Sequence, residues 1–304
     1  MLARLCRLFI LLELALYAAV GVALHFAPGW STARILGMAL VLAFGSRLAL
    51  VSFTAFVGWL ARGEREAAHR IGFVATVGYL LEEYAALLLD NFVFLPFESL
   101  AVRPDPPLAA STRAPVILVH GYMSNRGYFG GLVRAIEKAG LGPVYTPNFP
   151  VLLASIERFA DELHEQVERI ADGCGQPRVI LVGYSMGGLA AREYLRRRGA
   201  GRVARLITIG SPHHGTLLAS MGLGLNARQM HRGSDFLRSL AASESATPPA
   251  VDAVSIWSPH DNLVAPPQTS LLAWARSVAL PGVGHVAIVD SRRTFAAVTA
   301  ELAR

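Results

Sequence analysis

The sequence predicts an α/β domain with a mostly parallel sheet flanked by helices, preceded by an all-α membrane region of two or three helices. Three observations predict this architecture. The first hundred residues are largely apolar, residues 99–115 hold four prolines, and from residue 116 short β-rich segments alternate with helical ones. We therefore expect a membrane-anchoring helical region over 1–98, a linker over 99–115 and a globular domain over 116–304, without internal repeats.

The composition limits the classes of partner. The chain is 53% hydrophobic and 16% charged, which is unusual for a soluble protein. Its net charge of +6 comes from residues beyond 100, where no basic run is interleaved with aromatics, so no nucleic-acid partner is expected. Cys6 and Cys174 are the only cysteines, and neither CxxC nor HExxH occurs. We expect no disulfide, no metal and no cofactor.

Two apolar stretches, 5–27 and 35–60, are each long enough to cross a bilayer. A cleaved signal peptide is the competing interpretation of the first stretch. It is less favoured, because the stretch exceeds a typical signal core and the second follows at once. Arg47 interrupts the second stretch and could pair with Glu13 or with acidic residues further along, or could snorkel.

A third stretch, 71–97, is ambiguous because an acidic residue near the bilayer centre costs roughly 2.5–3.5 kcal/mol. Its acids, Glu82, Glu83 and Asp90, fall within one arc of a helix. That pattern suits an amphipathic helix lying on the membrane or packed against the globular domain. Alternatively the stretch crosses the membrane with its acids facing Arg47.

Alternating segments define the expected elements of the globular domain. The expected strands lie at 116–119, 144–146, 179–182, 206–209 and 254–257. The expected helices lie at about 128–139, 155–171, 187–198, 264–275 and 290–303.

The strongest chemical signal is the motif Gly183-x-Ser185-x-Gly187, which follows a strand and leads directly into a helix. In this context the serine occupies a strained turn that exposes its hydroxyl above the sheet, as a nucleophile requires. An ordinary glycine turn is the alternative. Acyl transfer also needs oxyanion donors, and the backbone amides of Met186 and Tyr122 are the candidates. Gly121 could bring the Tyr122 amide to the site, unless His120 and Gly121 merely end a strand.

The serine requires a base and an acid, which follow it in the order acid then histidine in hydrolases with this strand–turn–helix motif. Asp261 lies in a loop just after an expected strand, whereas Asp252 precedes that strand and Asp290 lies in the last helix. His285 lies in a glycine-rich loop that leaves its imidazole free to reach Ser185. We therefore expect His285 to act as the general base, oriented by Asp261.

These motifs together resemble the bacterial lipase and esterase branch of the α/β-hydrolase superfamily, and they are similar to GPI inositol-deacylase-like proteins. The resemblance covers about residues 114–304. It implies a triad of Ser185, Asp261 and His285, an oxyanion hole from the Tyr122 and Met186 amides, and a lid over 217–251. His213 and His214 precede the acid, so we interpret them as loop-shaping residues.

The predicted function is a membrane-anchored serine carboxylester hydrolase, a lipase or esterase, acting on acyl esters of lipids with the bilayer as its other partner. A thioesterase or acyltransferase would use the same acyl-enzyme chemistry. A membrane transport or scaffold protein with an accessory hydrolase domain is a further alternative.

The side of the membrane depends on the third stretch. Arg4 and Arg7 favour a cytoplasmic N-terminus, and Arg62, Arg65 and Arg70 favour a cytoplasmic loop. The 27-residue length of 71–97 slightly favours a crossing. We therefore expect a multi-pass protein of the bacterial inner membrane with its catalytic domain outside the cytoplasm. Cys174 should be exposed in a turn of that domain.

Overall fold

The computed structural model describes residues 1–63, 66–150 and 152–304. Arg65, one of the three arginines of the expected cytoplasmic loop, lies outside the described residues.

The chain begins with two long apolar helices, α1 (Leu2–His25) and α2 (Thr32–Ala61). Among the described residues these two have the length and hydropathy of membrane-spanning helices, and most of their surface is not covered by the rest of the chain. Arg47 of α2 makes a two-pronged ion pair with Glu13 of α1, with nitrogen–oxygen distances of 2.6 and 2.7 Å. Of the pairings that the sequence left open for Arg47, the structure contains the one with Glu13.

Helix α3 (Phe73–Leu89) continues into a π-helical turn, Asp90–Phe94, and is followed by the short helix α4 (Glu98–Ala101). Helix α3 is packed against the globular part of the chain, which was one of the arrangements left open for stretch 71–97. The proline-rich segment that follows is also attached there, since the Asp105 carboxylate accepts hydrogen bonds from the Thr146 amide and hydroxyl at 3.0 and 2.8 Å.

The globular part contains a parallel sheet in the order β2-β1-β3-β4-β5-β6. Its strands are β1 (Val116–Val119), β2 (Val144–Tyr145), β3 (Val179–Tyr184), β4 (Val203–Ile209), β5 (Asp252–Trp257) and β6 (Arg276–Ala279). Among the described residues the α-helices that accompany them are α5 (Gly130–Lys138), α6 (Ile156–Gly173), α7 (Met186–Arg198), α8 (Gly224–Gln229), α9 (Asp235–Ala246), α10 (His285–Ile288) and α11 (Arg292–Leu302).

The sheet is covered on both faces. Along β1, Ile117 and Val119 pack in the core formed with α6, α7 and α9, whereas Val116 and Leu118 pack with α5 and α11 on the other face. All four side chains are fully buried, as expected of a central parallel strand. The predicted parallel sheet with helices on both faces is confirmed.

The helix expected over 264–275 is wrong. In the structure a 3₁₀ turn, Pro267–Ser270, is followed by the edge strand β6, which sequence analysis missed. Pro266 and Pro267 explain the difference, because a proline removes a backbone donor and disfavours helical geometry in the residue before it.

The expected exposure of Cys174 is also wrong. Its side chain is fully buried, and its sulfur lies 3.2 Å from the Tyr145 hydroxyl. Cys174 caps the carboxyl end of α6. It is buried in the same core as the apolar face of that helix.

Candidate active site

Ser185 lies in a sharp turn between β3 and α7. Its backbone angles are φ +53° and ψ −123°, a region that non-glycine residues rarely occupy. The glycines of the motif allow this turn to pack tightly. A β-carbon on Gly187 would lie 2.2 Å from the Val119 carbonyl oxygen, and one on Gly183 would lie 2.6 Å from the Gly188 nitrogen. The glycines of the motif therefore permit a tight backbone turn that places the serine side chain at the carboxyl end of strand β3.

Three side chains predicted from the sequence to act together form a continuous chain of contacts. Ser185 Oγ lies 3.1 Å from His285 Nε2, and His285 Nδ1 lies 2.8 Å from Asp261 Oδ2. The other oxygen of Asp261 accepts hydrogen bonds from the Leu263 and Val264 amides at 2.9 and 2.7 Å. Such spacing allows the serine hydroxyl to pass its proton to the imidazole.

The other two acids that the sequence offered lie elsewhere. Asp252 is at the opposite end of β5, where it pairs with Arg205 at 2.7 Å. Asp290 lies just before α11, beside Gly131 of α5.

The electrostatic surroundings of His285 favour its protonated form. Burial by itself lowers the pKa of the imidazole, but the Asp261 carboxylate, through its charge and its hydrogen bond, and the nearby Glu83 raise the pKa above its ordinary value. The surroundings therefore stabilise the imidazolium that forms when the base accepts a proton.

The two predicted oxyanion donors border the nucleophile. Met186 is the first residue of α7, so its amide has no acceptor within the helix. Tyr122 follows Gly121, where an added β-carbon would lie 2.9 Å from Ser185 Cβ, so the loop after β1 lies directly against the serine. Sequence analysis missed a role of the Tyr122 side chain, whose hydroxyl bonds both the amide and the carbonyl of Leu223 at 2.8 and 2.9 Å.

Three further histidines support the loops around the site. Burial lowers the pKa of His120 to about 4, and its neutral ring accepts the Phe149 amide hydrogen bond at 3.1 Å. His213 is buried beside the Thr208 hydroxyl, and His214 contacts the Leu271 carbonyl. Their positions agree with a loop-shaping role.

Comparison with known proteins supports the same architecture. Residues 114–232 match the family model for the alpha/beta hydrolase fold. A lipase from Bacillus licheniformis superposes with a TM-score of 0.56 at 20% identity, covering 66% of this chain and 95% of the lipase. Aspergillus fumigatus lipase B gives a TM-score of 0.54 at 19% identity, covering 63% of this chain and 53% of the lipase. The chain has the α/β-hydrolase fold.

The similar curated proteins include a triacylglycerol lipase of Vibrio cholerae, 31% identical over 119 residues, or 38% of this chain and 37% of the lipase. A lysosomal thioesterase of Xenopus laevis is 33% identical over 102 residues, or 32% of this chain and 35% of the thioesterase. The matched segments thus span little more than a third of these relatives.

A cavity of about 300 Å³ opens beside Ser185 and His285 in this α/β-hydrolase fold. Its walls are mostly apolar and come from several elements, including the loop after β1 and the segment after β4. Leu50 and Thr54 of α2 also line it. Sequence analysis missed this contribution, because Thr54 is only one of several polar residues in the largely apolar α2.

The segment 217–251, expected to form a lid and called the cap below, contributes Leu218, Met221 and Ala227 to the cavity wall. It comprises a 3₁₀ turn, Leu217–Met221, followed by α8 and α9. Helix α9 is fixed by a buried ion pair in which Glu244 binds Arg192 of α7 at 2.7 and 2.8 Å. The part nearer the cavity exposes four large apolar side chains: Leu217, Met221, Leu223 and Leu225.

Proposed function

We propose that this chain is a membrane-anchored serine carboxylester hydrolase that acts on acyl esters of lipids. The observation that carries the proposal is the series of hydrogen bonds from Ser185 through His285 to Asp261. Ser185 and His285 face an apolar cavity that is also lined by the largely apolar helix α2. The similarity to proteins named triacylglycerol lipase supports ester hydrolysis.

In this proposal Ser185 Oγ attacks the ester carbonyl carbon while His285 Nε2 accepts the hydroxyl proton. The Tyr122 and Met186 amides donate hydrogen bonds to the oxyanion that forms. The intermediate collapses to an acyl-enzyme and the alcohol leaves with the proton held by His285. Water then attacks the acyl carbon by the same route and releases the carboxylic acid and free serine.

A lipid substrate is supported by the apolar surfaces around the cavity. Met221, one of the exposed apolar side chains of the cap, lines the same cavity that Leu50 and Thr54 of α2 border. If α1 and α2 span the membrane, the cavity mouth lies at the bilayer surface, where an acyl chain can enter without crossing water. This arrangement favours long acyl chains over short soluble ones.

We further propose that α1 and α2 form a two-span hairpin with the catalytic part in the cytoplasm. Leu2 at the start of α1 and Gly58 near the end of α2 are both buried against the rest of the chain. Both of these helix ends therefore lie on the side of the membrane that holds the globular part. Arg4, Arg7 and Arg62 lie at these ends, and arginines favour the cytoplasmic face. In this proposal α3 stays packed against the globular part and does not cross the membrane, so the orientation is the reverse of the one that three spans would give.

Cysteine labelling tests the orientation. In a Cys6→Ser background Cys174 stays buried, and Gly201→Cys adds a thiol at an exposed position with open space around it. A membrane-impermeant maleimide should label Gly201→Cys only after spheroplasts are permeabilised, whereas Pro28→Cys in the hairpin loop should react in intact spheroplasts. The opposite pattern would refute the cytoplasmic orientation.

The activity is tested with the full-length protein in vesicles and a panel of esters of graded acyl length, including phospholipids and acylglycerols. We expect hydrolysis that increases with acyl length and is lost in Ser185→Ala. A preference for short water-soluble esters would contradict the lipid assignment, and activity that survives Ser185→Ala would contradict the mechanism.

A thioesterase is the second candidate, because one similar curated protein is named a lysosomal thioesterase. Matched oxygen esters and thioesters of the same acyl chain distinguish the two. A much higher kcat/KM for the thioester than for the oxygen ester would favour the thioesterase.

A further inference from the structure

Glu83 of α3 is completely buried and contacts the loop that carries the histidine. Its Oε1 accepts a hydrogen bond from the Val286 amide at 3.0 Å, and its Oε2 accepts one from the Ala287 amide at 2.9 Å. These are the two residues directly after His285 in α10. The first amides of a helix lack partners within the helix, so Glu83 caps α10 from a distant part of the chain.

Gly284 makes room for this contact. The residue precedes α10 and has no side chain that could cap it. A β-carbon on Gly284 would lie 2.2 Å from Glu83 Oε2, and the three nearest atoms all belong to Glu83. The backbone of Gly284 is extended, with φ −83° and ψ 173°, so alanine would be acceptable there apart from the clash with Glu83.

We propose that Glu83 is a positioning residue that fixes His285 for proton transfer with Ser185. This inference rests on the proposed function. The His285 backbone is held from two other directions, since its amide donates to Asn262 Oδ1 at 2.9 Å and its carbonyl accepts from the Tyr184 hydroxyl at 2.9 Å. Glu83 supplies a third restraint, because it holds the amides of Val286 and Ala287, the two residues after His285.

The charge of Glu83 also acts on His285. The titratable groups around Glu83 are His285, Asp261, Asp90, Tyr128 and Tyr184. Burial is the largest influence and raises the pKa of Glu83 above its ordinary value, although the two amide donors oppose this by stabilising the carboxylate. The Glu83 charge in turn contributes to the raised pKa of His285. Removing that charge should therefore lower the pKa of the histidine.

The test compares full-length Glu83→Ala and Glu83→Gln with the wild type, using Glu82→Gln as the matched control. Glu82 is the adjacent acid on α3 and is exposed. We expect kcat to fall about 100-fold in Glu83→Ala, as for a misplaced catalytic group, with KM little changed. Glu83→Gln keeps the shape of the side chain and should show a smaller loss. In both variants the acidic limb of the kcat/KM profile should move to lower pH, a shift that a merely structural role would not produce.

A double-mutant cycle tests the contact itself. Gly284→Ala should lower both kcat and Tm in the wild-type background but cost little more in Glu83→Ala, where the clashing atoms are gone. Equal losses from Gly284→Ala in both backgrounds would overturn the proposed contact.

The proposal is also overturned if both Glu83 variants keep the wild-type kcat and pH profile. Failure of the proposed function looks different, because the wild-type protein would then show no hydrolysis that depends on Ser185. If Glu83→Ala does not fold, the isosteric Glu83→Gln carries the kinetic comparison alone.

Discussion

Thr54 of α2 accepts a hydrogen bond from Asn262 at an oxygen–nitrogen distance of 2.9 Å. Asn262 is the neighbour of Asp261, and its side-chain oxygen Oδ1 accepts a hydrogen bond from the His285 amide. A short chain of hydrogen bonds therefore joins an apolar N-terminal helix to the backbone of the proposed base. Gly58, one turn further along α2, packs against the same loop. Helix α2 is thus part of the structure of the site.

The contact at Gly58 gives the first prediction. An added β-carbon would lie 3.2 Å from the Asp261 carbonyl oxygen, so Gly58→Leu should push α2 away from the loop and lower kcat at least tenfold, by analogy with other small displacements of catalytic groups. Gly37→Leu is the matched control, because the space around Gly37 is open. Equal kcat values for the two variants in the vesicle hydrolysis assay would show that α2 does not support the site.

The second prediction concerns Asp261. Asp261→Asn should lower kcat by about 10⁴-fold, because the amide can no longer hold the correct tautomer of His285 or stabilise its charge. Asp252→Asn, which alters an acid at the far end of β5, should leave kcat unchanged. Turnover near the wild-type value in Asp261→Asn would remove Asp261 from the mechanism.

The third prediction is the pH dependence. The neutral form of His285 is the base, so activity should be lost as pH falls through its pKa. Because Asp261 and Glu83 raise that pKa above the ordinary value, the acidic limb of kcat/KM should lie above about pH 6.5. Stopped assays with a soluble ester across the pH range measure the limb. A limb well below this value would mean that the carboxylates do not act on the histidine as described.

The sequence pointed to Ser185, Asp261 and His285, which the structure brings together, because their signals are local. Ser185 lies in a motif whose glycines are needed for one tight turn. Asp261 comes just after an expected strand, and His285 follows it in a glycine-rich segment, which is the order that the motif requires. The parallel sheet followed from the alternation of apolar segments. The helix predicted over 264–275 is absent from the described structure, because Pro266 and Pro267 disfavour helical geometry despite the apolar residues around them.

The supporting contacts could not be predicted from local pattern. Glu83 and Val286 are separated by 203 positions, and Thr54 and Asn262 by 208. Acids in an apolar helix indicated that stretch 71–97 was unusual, but no periodicity identifies which amides a carboxylate will cap. Such pairs depend on how the helices pack onto the completed sheet.

The fourth prediction concerns the buried ion pair beneath the cap. Glu244→Gln should destabilise the protein by about 3–5 kcal/mol, because it leaves the fully buried Arg192 charge without its partner. Arg238→Ala is the matched control on the same helix, since it breaks an exposed pair with Asp235. Thermal unfolding should show a clear fall in Tm for the first variant and little change for the second. Equal Tm values would mean that the buried pair does not hold α9 in place.

The central claim is that Ser185 is a nucleophile activated by His285, and covalent labelling tests it most directly. The full-length protein is treated with a fluorophosphonate probe and the modified peptide is mapped by mass spectrometry. We predict one adduct on Ser185, lost in Ser185→Ala and formed far more slowly in His285→Ala. An unlabelled wild-type protein, or labelling that persists unchanged in Ser185→Ala, would contradict the assignment.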